Sequence, residues 1–569
     1  MTLRDIPRNA VLTISNLLRS LRRRGLDHVV LPIRGSYPER TSQRDPLPFP
    51  FSRLPILPTE ISLEDMRDVV ERIGHDRRVQ NVVLRFDTLR AGPSRLYSLR
   101  RMMLGLRDEG KHLTAWLPAA NTWDYYLASA CDEITLPPSG RLAALGLRSE
   151  TIFLKDTLAL AGVEADLESI AEYKVTPDTF RRSTMTEPHR EMLNGILDSL
   201  FDEIIAAIAE GRGIDAAQVR KLIDQMPLTS AEALEAGLAD AVLYEDELTA
   251  RFSPAGGKAK TTAPLLPWED AGRRLRTPIK WTTRQRIGVV SLEGVIVPGH
   301  SRRVPAPVPL PFVEAQAGAE TITQALRQAG SDEHVAAVIF HVETPGGSEL
   351  ASDLICREVR RLRERKPVVV LMGGQATSGG YYVSALVNRI VARPTTLTGS
   401  IGIWGGKFVL TGLYEKLGMS REAVQRGAMA GLYSEMAPFS DEERAQMRRD
   451  IGAGYARFKA RVAEGRGMTG EQVEEIARGR VWTGAQAHKI GLVDELGDFE
   501  TALAIAKELA DLESEREYTV VQITPPRREL PPLPFPTAES DWRVLLDALR
   551  NLAHERAWAL APWMVRVWG

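Results

Sequence analysis

Residues 335–348 read VAAVIFHVETPGGS, a largely apolar strand that ends in a Pro-Gly-Gly turn. Residues 368–382 read VVVLMGGQATSGGYY, again an apolar strand followed by a glycine-rich turn. Runs of this kind are typical of strands buried on both faces of a parallel sheet. The residues between them, 350–365, have the pattern of a helix. A strand, a helix and a second strand in this order predict a right-handed βαβ unit and an α/β fold.

The same arrangement occurs a second time, 256 residues earlier in the chain. Residues 79–162 align with residues 335–418 without a gap, and the pair Tyr125-Tyr126 falls on Tyr381-Tyr382. Self-similarity of this extent indicates tandem domains. The chain has 569 residues, which is more than one hydrophobic core usually supports. We therefore predict two α/β domains with mostly parallel sheets and helical extensions.

Composition shifts set the expected domain boundaries. The first repeat is predicted at 28–254 and the second at 285–512, joined by a linker at 255–284 that begins with Gly, Lys, Thr and Pro. The tail at 513–569 contains a Pro-rich run and four tryptophans, and residues 541–560 have helical periodicity. Long Pro-rich loops are expected at residues 37–58 and 297–311.

The N-terminal segment, residues 1–27, has an amphipathic pattern. Val11, Ile14, Leu18 and Leu21 recur at helical spacing, with arginines at 19 and 22–24. The pattern fits a basic helix lying on a membrane surface and equally an ordinary amphipathic helix packed on the protein. No run of 18 apolar residues occurs, so the expected location is the cytoplasm or the surface of a membrane.

The overall composition excludes several classes of function. Lys and Arg total 73 and Asp and Glu total 74, so no basic field indicates a nucleic-acid partner. The nine histidines have no metal-binding spacing, and the two cysteines lie at non-equivalent positions of different repeats. We therefore expect neither a metal nor another cofactor.

The two repeats differ at the residues that could carry chemistry. The second repeat has Ala376-Thr377-Ser378-Gly379-Gly380, where the first has Ala120-Asn121-Thr122-Trp123-Asp124. Conversely, Lys174 of the first repeat aligns with Ala430 of the second. A serine nucleophile needs a neighbouring base, and burial can lower the pKa of a lysine from about 10.4 far enough for that task. The pattern predicts a Ser/Lys hydrolase, with Ser378 as nucleophile and Lys174 as general base.

Two glycine turns of the second repeat are candidates for an oxyanion hole. Ser378 is expected at a helix N-terminus, where free backbone N–H groups favour negative charge, so the Gly379 N–H is one expected donor. In the turn Thr344-Pro345-Gly346-Gly347-Ser348 we expect Gly347 to donate the second N–H and Gly346 to permit the turn. The aligned Thr88-Leu89-Arg90-Ala91-Gly92 lacks this glycine pair.

A third polar group is needed to orient the lysine. Ser400, in Thr398-Gly399-Ser400-Ile401-Gly402, is the candidate, because the first repeat has Leu142-Ala143-Ala144-Leu145-Gly146 there. Taken singly, each residue also has an ordinary interpretation: Ser400 as a turn serine, Lys174 as a surface lysine and Ser378 as a helix cap.

These motifs resemble the double-length form of the signal peptide peptidase A family, in the ClpP/crotonase-like superfamily. The resemblance covers roughly residues 28–510 and includes Glu172-Tyr173-Lys174. It implies two tandem ClpP/crotonase-like domains, with Ser378 as nucleophile, Lys174 as base and Ser400 in contact with the lysine. It also implies an endopeptidase for released signal peptides or other apolar peptides, assembled as a homo-oligomer, a tetramer in that family, at the bacterial inner membrane.

Two other functions remain open at this point. A crotonase-like acyl-CoA enzyme would share the fold and a backbone oxyanion hole without a Ser/Lys pair. A non-catalytic membrane-associated scaffold would use the Pro-rich loops and the tryptophan-bearing tail.

Overall fold

The computed structural model describes residues 5–21, 26–40, 61–252, 264–303, 315–525, 558–560 and 566–568. The chain forms two compact units. The first contains Met1–Arg148, Leu200–Arg284 and Trp568–Gly569, and the second contains Ser149–Ser199 and Gln285–Val567. The predicted Pro-rich loops lie largely outside the described residues.

The helices of the described part of the chain, numbered in order, are α1 Asp5–Leu21, α2 Leu63–His75, α3 Pro93–Asp108, α4 Thr122–Ala128, α5 Lys155–Ala161, α6 Asp178–Arg181, α7 Glu187–Arg212, α8 Ala216–Ile223, α9 Ser230–Glu235, α10 Leu248–Arg251, α11 Trp268–Arg274, α12 Ala319–Ser331, α13 Glu349–Arg363, α14 Gly379–Ser384, α15 Thr411–Lys416, α16 Asp441–Arg466, α17 Gly470–Ile476, α18 Gly484–Lys489 and α19 Phe499–Leu509.

The strands are β1 His28–Gly35, β2 Asn81–Leu89, β3 His112–Trp116, β4 Ala119–Asn121, β5 Glu133–Leu136, β6 Arg141–Ala143, β7 Arg148–Glu150, β8 Glu164–Ser169, β9 Leu228–Thr229, β10 Ala241–Val242, β11 Leu265–Pro267, β12 Thr282–Glu293, β13 Val295–Val297, β14 Arg302–Arg303, β15 Ala315–Gly318, β16 Val335–Thr344, β17 Gly346–Ser348, β18 Val368–Thr377, β19 Arg389–Ala392, β20 Leu397–Gly399, β21 Trp404–Val409, β22 Val481–Thr483, β23 Glu495–Leu496, β24 Glu517–Gln522, β25 Trp558–Leu560 and β26 Arg566–Trp568.

The first unit is built on a parallel sheet. Its strand order is β10-β5-β3-β2-β1-β11, and every neighbouring pair in it is parallel. Val82, Leu84 and Phe86 of β2 face a core that includes residues of α2 and α3, while Val83 faces a smaller cluster with Leu243. Apolar side chains therefore cover both faces of the central strand, as the continuous apolar run predicted.

The second unit has a main sheet with the strand order β22-β20-β18-β16-β12-β24. Strands β12, β16, β18 and β20 are parallel, and β22 is antiparallel to β20. Phe340 and Val342 of β16 face the cluster that contains residues of α12 and α13, whereas Ile339 faces α19. A second sheet, in the order β14-β15-β13-β17-β25-β21-β8, lies in the same unit.

The duplication is visible in side-chain contacts as well as in the order of elements. In the first unit, Tyr125 Oη donates to Leu238 O and Arg212 pairs with Asp240. In the second, Tyr381 Oη donates to Leu492 O and Arg466 pairs with Asp494. The prediction of two tandem α/β domains with mostly parallel sheets is confirmed.

The structure differs from the sequence-based boundaries in three places. Residues 149–199, in the first repeat by sequence, belong to the second compact unit because β8 forms an antiparallel ladder with β21. Part of the predicted linker is folded: Leu265 and Leu266 pair with β1, and α11 follows. In the tail, 558–560 form a strand instead of the end of a helix, because their backbone pairs with β17. Residues 541–557 lie outside the described residues.

Helix α1 packs on the first unit through its polar side. Asp5 and Asn9 are buried, and hydrogen bonds join this side of the helix to residues 277–282. The apolar side is exposed: Val11, Ile14, Leu17 and Leu18 are each about 60 % accessible or more, at 66 %, 61 %, 65 % and 59 %. Among the described residues, no helix is long and apolar enough to cross a membrane.

Candidate active site

Ser378 lies at the junction of β18 and α14 with an unusual backbone conformation. Its φ is 55° and its ψ is −112°, a region that a residue with a side chain seldom adopts. The conformation is held by two hydrogen bonds, from Ser378 N to Gly399 O at 2.8 Å and from Tyr382 N to Ser378 O at 2.8 Å. Strained residues of this type cost about 1–3 kcal/mol and cluster at functional sites. The hydroxyl therefore has a direction that the surrounding strands fix.

Lys174 lies in the loop that follows β8, and backbone contacts hold this loop against the second repeat. Ile170 N donates to Ile403 O at 2.9 Å, and Tyr173 N donates to Arg478 O at 3.2 Å. A Cβ at Gly479 would lie 2.5 Å from Lys174 N, so the close approach of the two backbones requires glycine there. Only 1 % of the Lys174 surface is accessible.

The Lys174 amine has three close polar neighbours. Its Nζ lies 2.6 Å from Ser378 Oγ, 3.0 Å from Ser400 Oγ and 3.0 Å from Ser400 O. Burial away from water holds the pKa of Lys174 well below its usual value, because desolvation disfavours the charged amine. The structure thus brings together, in one compact unit, all three residues that the sequence comparison selected separately.

Ser400 follows β20 and is fixed by the neighbouring strands. Its N–H donates to Arg480 O at 2.7 Å, and its φ is 52°. The adjacent Thr398 Oγ1 donates to Ala376 O at 2.9 Å, which ties β20 to the end of β18. Ser400 therefore presents both its hydroxyl and its carbonyl oxygen to the lysine.

The two predicted oxyanion glycines lie next to each other. A Cβ built on Gly379 would be 3.2 Å from Gly347 N and 2.6 Å from Ser352 Oγ. Gly346 has a φ of 106°, and its N–H donates to Thr344 Oγ1 at 3.0 Å, so the turn itself uses this donor. A Cβ on Gly347 would collide with Ile296 O at 2.0 Å. The close approach of the backbones therefore requires glycine at Gly347, the positive φ favours glycine at Gly346, and a side chain at Gly379 would displace Ser352.

The aligned positions of the first unit have a different arrangement. Thr122, which aligns with Ser378, is buried, and its Oγ1 donates to Gly146 O at 3.0 Å. Asn121 caps helix α4 and accepts hydrogen bonds from Trp123 N and Asp124 N. These polar groups serve the local backbone.

Comparison with known proteins identifies the family. The model of peptidase family S49 matches residues 105–255 and again residues 360–513. A chloroplastic serine protease SPPA of Arabidopsis thaliana is 32 % identical over 477 residues, which cover 83 % of this chain and 69 % of that protein. Protease 4 of Haemophilus influenzae is 30 % identical over 478 residues, 82 % of this chain and 75 % of that protein. The chain belongs to peptidase family S49.

A shorter match is also informative. A putative signal peptide peptidase of Enterococcus faecium is 34 % identical over 193 residues, 34 % of this chain and 56 % of that protein. The family match and these relatives show a serine protease, the first of the functions that the sequence predicted.

Sequence reasoning missed several residues that position the site of this S49 peptidase. Gly479 admits the Lys174 backbone, Thr344 accepts the Gly346 N–H, and Ser352 lies against Gly379. An isolated glycine next to a short strand is a signal of close backbone approach. The stretch Arg478-Gly479-Arg480 has this pattern, so Gly479 could have been predicted from the sequence. The other two positions depend on tertiary contacts that have no sequence signature.

Proposed function

We propose that Ser378 is the nucleophile and Lys174 the general base of a Ser/Lys dyad. The observation that carries the proposal is the 2.6 Å separation of Lys174 Nζ and Ser378 Oγ in a fully buried setting. A hydrogen bond of this length is the geometry that a base and its nucleophile need.

The surroundings of the amine fit its neutral form. A neutral amine has two N–H donors and one lone pair. The two oxygens of Ser400 can accept both N–H groups, and the lone pair then points at the Ser378 hydroxyl. In this role Ser400 selects the orientation in which the lysine accepts a proton, and burial lowers the pKa of the amine, which favours its neutral form.

The reaction follows from these positions. Ser378 Oγ attacks the carbonyl carbon of the scissile peptide bond while its proton passes to Lys174 Nζ. The carbonyl oxygen becomes an oxyanion that accepts hydrogen bonds from the N–H groups of Gly347 and Gly379. The C–N bond then breaks, and Nζ returns the proton to the leaving amine. Water attacks the resulting Ser378 ester with Lys174 again as base, and this step regenerates the free serine.

The proposed substrates are apolar peptides of the signal-peptide type. One support is the similarity to the putative signal peptide peptidase of Enterococcus faecium. A second is an apolar cluster of Leu167, Val295, Val297 and Trp404 in the sheet that contains the Gly347 strand. An extended peptide beside that strand would meet apolar side chains.

Substitution of the dyad tests the proposal. Ser378→Ala and Lys174→Ala should each lower kcat for an apolar fluorogenic peptide by roughly 10⁴-fold or more, and the double variant should be no worse, because the residues act as one unit. Thr122→Ala, at the aligned position of the first repeat, is the matched control. It loses one buried hydrogen bond, about 1 kcal/mol of stability, and should keep its activity. Substantial hydrolysis by Ser378→Ala would reject the assignment.

The family resemblance leads us to propose a homo-oligomer as well, with a tetramer as the expected state. An exposed apolar group on the second unit supports a subunit contact: Leu160 of α5 is 81 % accessible, and Leu417 and Met419 after α15 are 64 % and 50 % accessible. Exposed apolar patches of this kind mark interaction surfaces. Sedimentation equilibrium should give four times the mass of the chain, and the mass of one chain would contradict the proposal.

We also propose that α1 contacts a membrane surface peripherally. The exposed Val11, Ile14, Leu17 and Leu18 form one apolar face, while the polar side of the same helix is hydrogen-bonded to the protein. This is the opposite of an amphipathic helix packed on its own domain, whose apolar side is buried. A face of aliphatic residues presented outward suits insertion among lipid headgroups.

A further inference from the structure

Residues 478–480 lie directly against Lys174 and Ser400. The backbone of Gly479 adjoins the backbone of Lys174, where an added Cβ would be 2.5 Å from Lys174 N. The carbonyl oxygen of Arg480 accepts the Ser400 N–H at 2.7 Å. This segment is therefore in contact with the proposed base and also with the residue proposed to orient it.

The side chain of Arg480 joins this segment to two aromatic rings and a carboxylate. Its guanidinium carbon lies 4.9 Å from the centroid of the Tyr173 ring and 4.5 Å from that of the Trp482 ring, within the range at which a cation is attracted to an aromatic face. Its Nη1 donates to Glu191 Oε1 at 2.7 Å, and Tyr173 Oη donates to Glu191 Oε2 at 2.9 Å. These four residues, Tyr173, Glu191, Arg480 and Trp482, form what we call the Arg480 cluster.

The two rings of the Arg480 cluster each adjoin a residue of the site. Tyr173 directly precedes Lys174 in the chain. Trp482 belongs to β22, which pairs with β20, and a Cβ on Gly399, the residue before Ser400, would be 2.9 Å from Trp482 Cδ1. The cluster therefore connects the two chain segments that carry the base and its partner.

A second ion pair of the same segment is a weaker anchor. Arg478 Nε donates to Glu172 Oε2 at 3.2 Å, and the two side chains are 48 % and 34 % accessible. Water and salt screen a pair with this exposure. The Arg480 side chain is 21 % accessible and has two rings against it, so it contributes more to holding residues 478–480 in place.

We propose that Arg480 is a positioning residue of the active site, which keeps residues 478–480 packed against Lys174 and thereby sets the position of the amine relative to Ser378. Arginine suits this role because a planar guanidinium can stack on aromatic rings and pair with a carboxylate at the same time. The proposal rests on the proposed function, since it takes Lys174 as the base for Ser378.

Loss of the Arg480 side chain should affect the amine in two ways. Residues 478–480 would relax away from Lys174, and a displacement of about 1 Å at a reacting group can lower a rate by about 10²-fold. Water would also reach the amine. Because burial is what lowers the pKa of Lys174, hydration should raise that pKa and reduce the fraction of neutral amine at a given pH.

The test uses the full-length chain, an apolar fluorogenic peptide and the acylation of Ser378 by an ester, followed by intact mass. Arg480→Ala should lower kcat by about 10-fold to 100-fold, change KM by less than about twofold, and move the pH profile of acylation to higher pH. Arg480→Lys keeps the charge and should recover part of kcat and the wild-type profile. Glu191→Gln, at an exposed position, should lower kcat by about twofold to fivefold, the usual effect of one surface ion pair.

Arg220→Ala is the matched control. The Arg220 guanidinium also lies over an aromatic ring, 5.1 Å from the centroid of Phe201, and also pairs with a carboxylate, that of Asp202. Its loss should leave kcat and the pH profile as in the wild type, because none of these residues contacts Lys174 through segment 478–480.

The possible outcomes separate the role of Arg480 from the dyad. Wild-type kcat in both Arg480→Ala and Glu191→Gln, with Ser378→Ala inactive, would overturn the positioning role and leave the dyad standing. An unchanged pH profile in Arg480→Ala, with an equal loss of kcat in Arg480→Lys, would assign Arg480 to the framework alone and also overturn the proposal. Hydrolysis that persists in Ser378→Ala would reject the dyad and this role together.

Discussion

Lys174 is buried, and its amine lies beside the hydroxyls of Ser378 and Ser400. A buried amine loses its hydration, and its neighbours include the hydroxyls of two serines, so its charged form is disfavoured and the pKa of Lys174 is lowered. This lowered pKa fits the proposed role of Lys174 as the base for Ser378, because the neutral amine is the form that accepts a proton.

The cost of burying Lys174 predicts a pH-dependent stability. The pKa of Lys174 is lowered in the folded chain, whereas in the unfolded chain it has the ordinary value of about 10.4. At a pH between these two values, the unfolded state binds one more proton than the folded state. The free energy of unfolding therefore rises with pH in this window. Lys174→Met removes this term. The stability of the variant relative to wild type should therefore fall with rising pH, by up to about 1.4 kcal/mol per pH unit, within that window.

Denaturant unfolding at a series of pH values measures this difference. Lys221→Met, which removes an exposed lysine of α8, is the control for the loss of one amine. A stability difference between Lys174→Met and wild type that stays constant up to pH 10 would show that the Lys174 pKa is not lowered by folding.

The elements of the site are joined by close backbone contacts more than by side-chain packing. β18, β20 and the β17 turn bring three glycine-containing segments together, and the loop after β8 adds Lys174 through backbone hydrogen bonds. This arrangement explains why the site contains so many glycines: a Cβ on Gly379 or Gly479 would collide with a neighbouring segment. The geometry of the proposed oxyanion hole thus depends on the ends of these strands.

Gly379→Ala tests the contribution of this close packing. The added Cβ meets Ser352 Oγ at 2.6 Å and Gly347 N at 3.2 Å, so the two proposed oxyanion donors must move apart. We expect kcat to fall by about 10²–10³-fold, the usual cost of one lost donor. In the control Gly452→Ala, in α16, the Cβ meets no atom within 4 Å, and activity should be unchanged. Equal activity of the two variants would remove Gly379 from the hole.

The sequence predicted the elements of the main sheets well and the partners of the peripheral segments poorly. Residues 79–86 and 335–342 are continuous apolar runs with helical patterns on either side, so their strands could be predicted from the local sequence. The transfer of β8 to the second unit and the pairing of 558–560 with β17 depend on partners far away in the chain. Ser378, Lys174 and Ser400 could be selected because the two repeats differ at these positions. Thr344 aligns with another threonine, Thr88, so the comparison shows no difference there, and the contact of Ser352 with Gly379 appears only in the folded chain.

The two units of the duplicated chain share a framework and differ in the residues that it presents. The second unit contains the proposed dyad, the oxyanion turns and the tail strand, and the first keeps the same framework without this chemistry. The first unit contributes instead the outward apolar face of α1.

Membrane attachment through α1 can be measured by flotation with anionic liposomes. Val11→Ser combined with Leu18→Ser should abolish flotation, because the exposed apolar face is lost while the hydrogen bonds of Asn9 and Asn16 to the protein are kept. Val424→Ser, which removes an exposed aliphatic residue of the second unit at 91 % accessibility, is the control and should float like wild type. Flotation that is the same with and without the α1 substitutions would remove the helix from the contact.

The proposed reaction requires a neutral Lys174 that takes the proton of Ser378. The rate at which an ester substrate acylates Ser378, followed by intact mass over a range of pH, tests this step. We predict that the rate rises with pH through a single lowered pKa and then levels off, because only the neutral amine is a base. The profile should be unchanged in His189→Asn, although burial also lowers the pKa of that histidine, and acylation should be lost in Lys174→Met. Acylation of Ser378 that persists in Lys174→Met with the same pH profile would contradict the account.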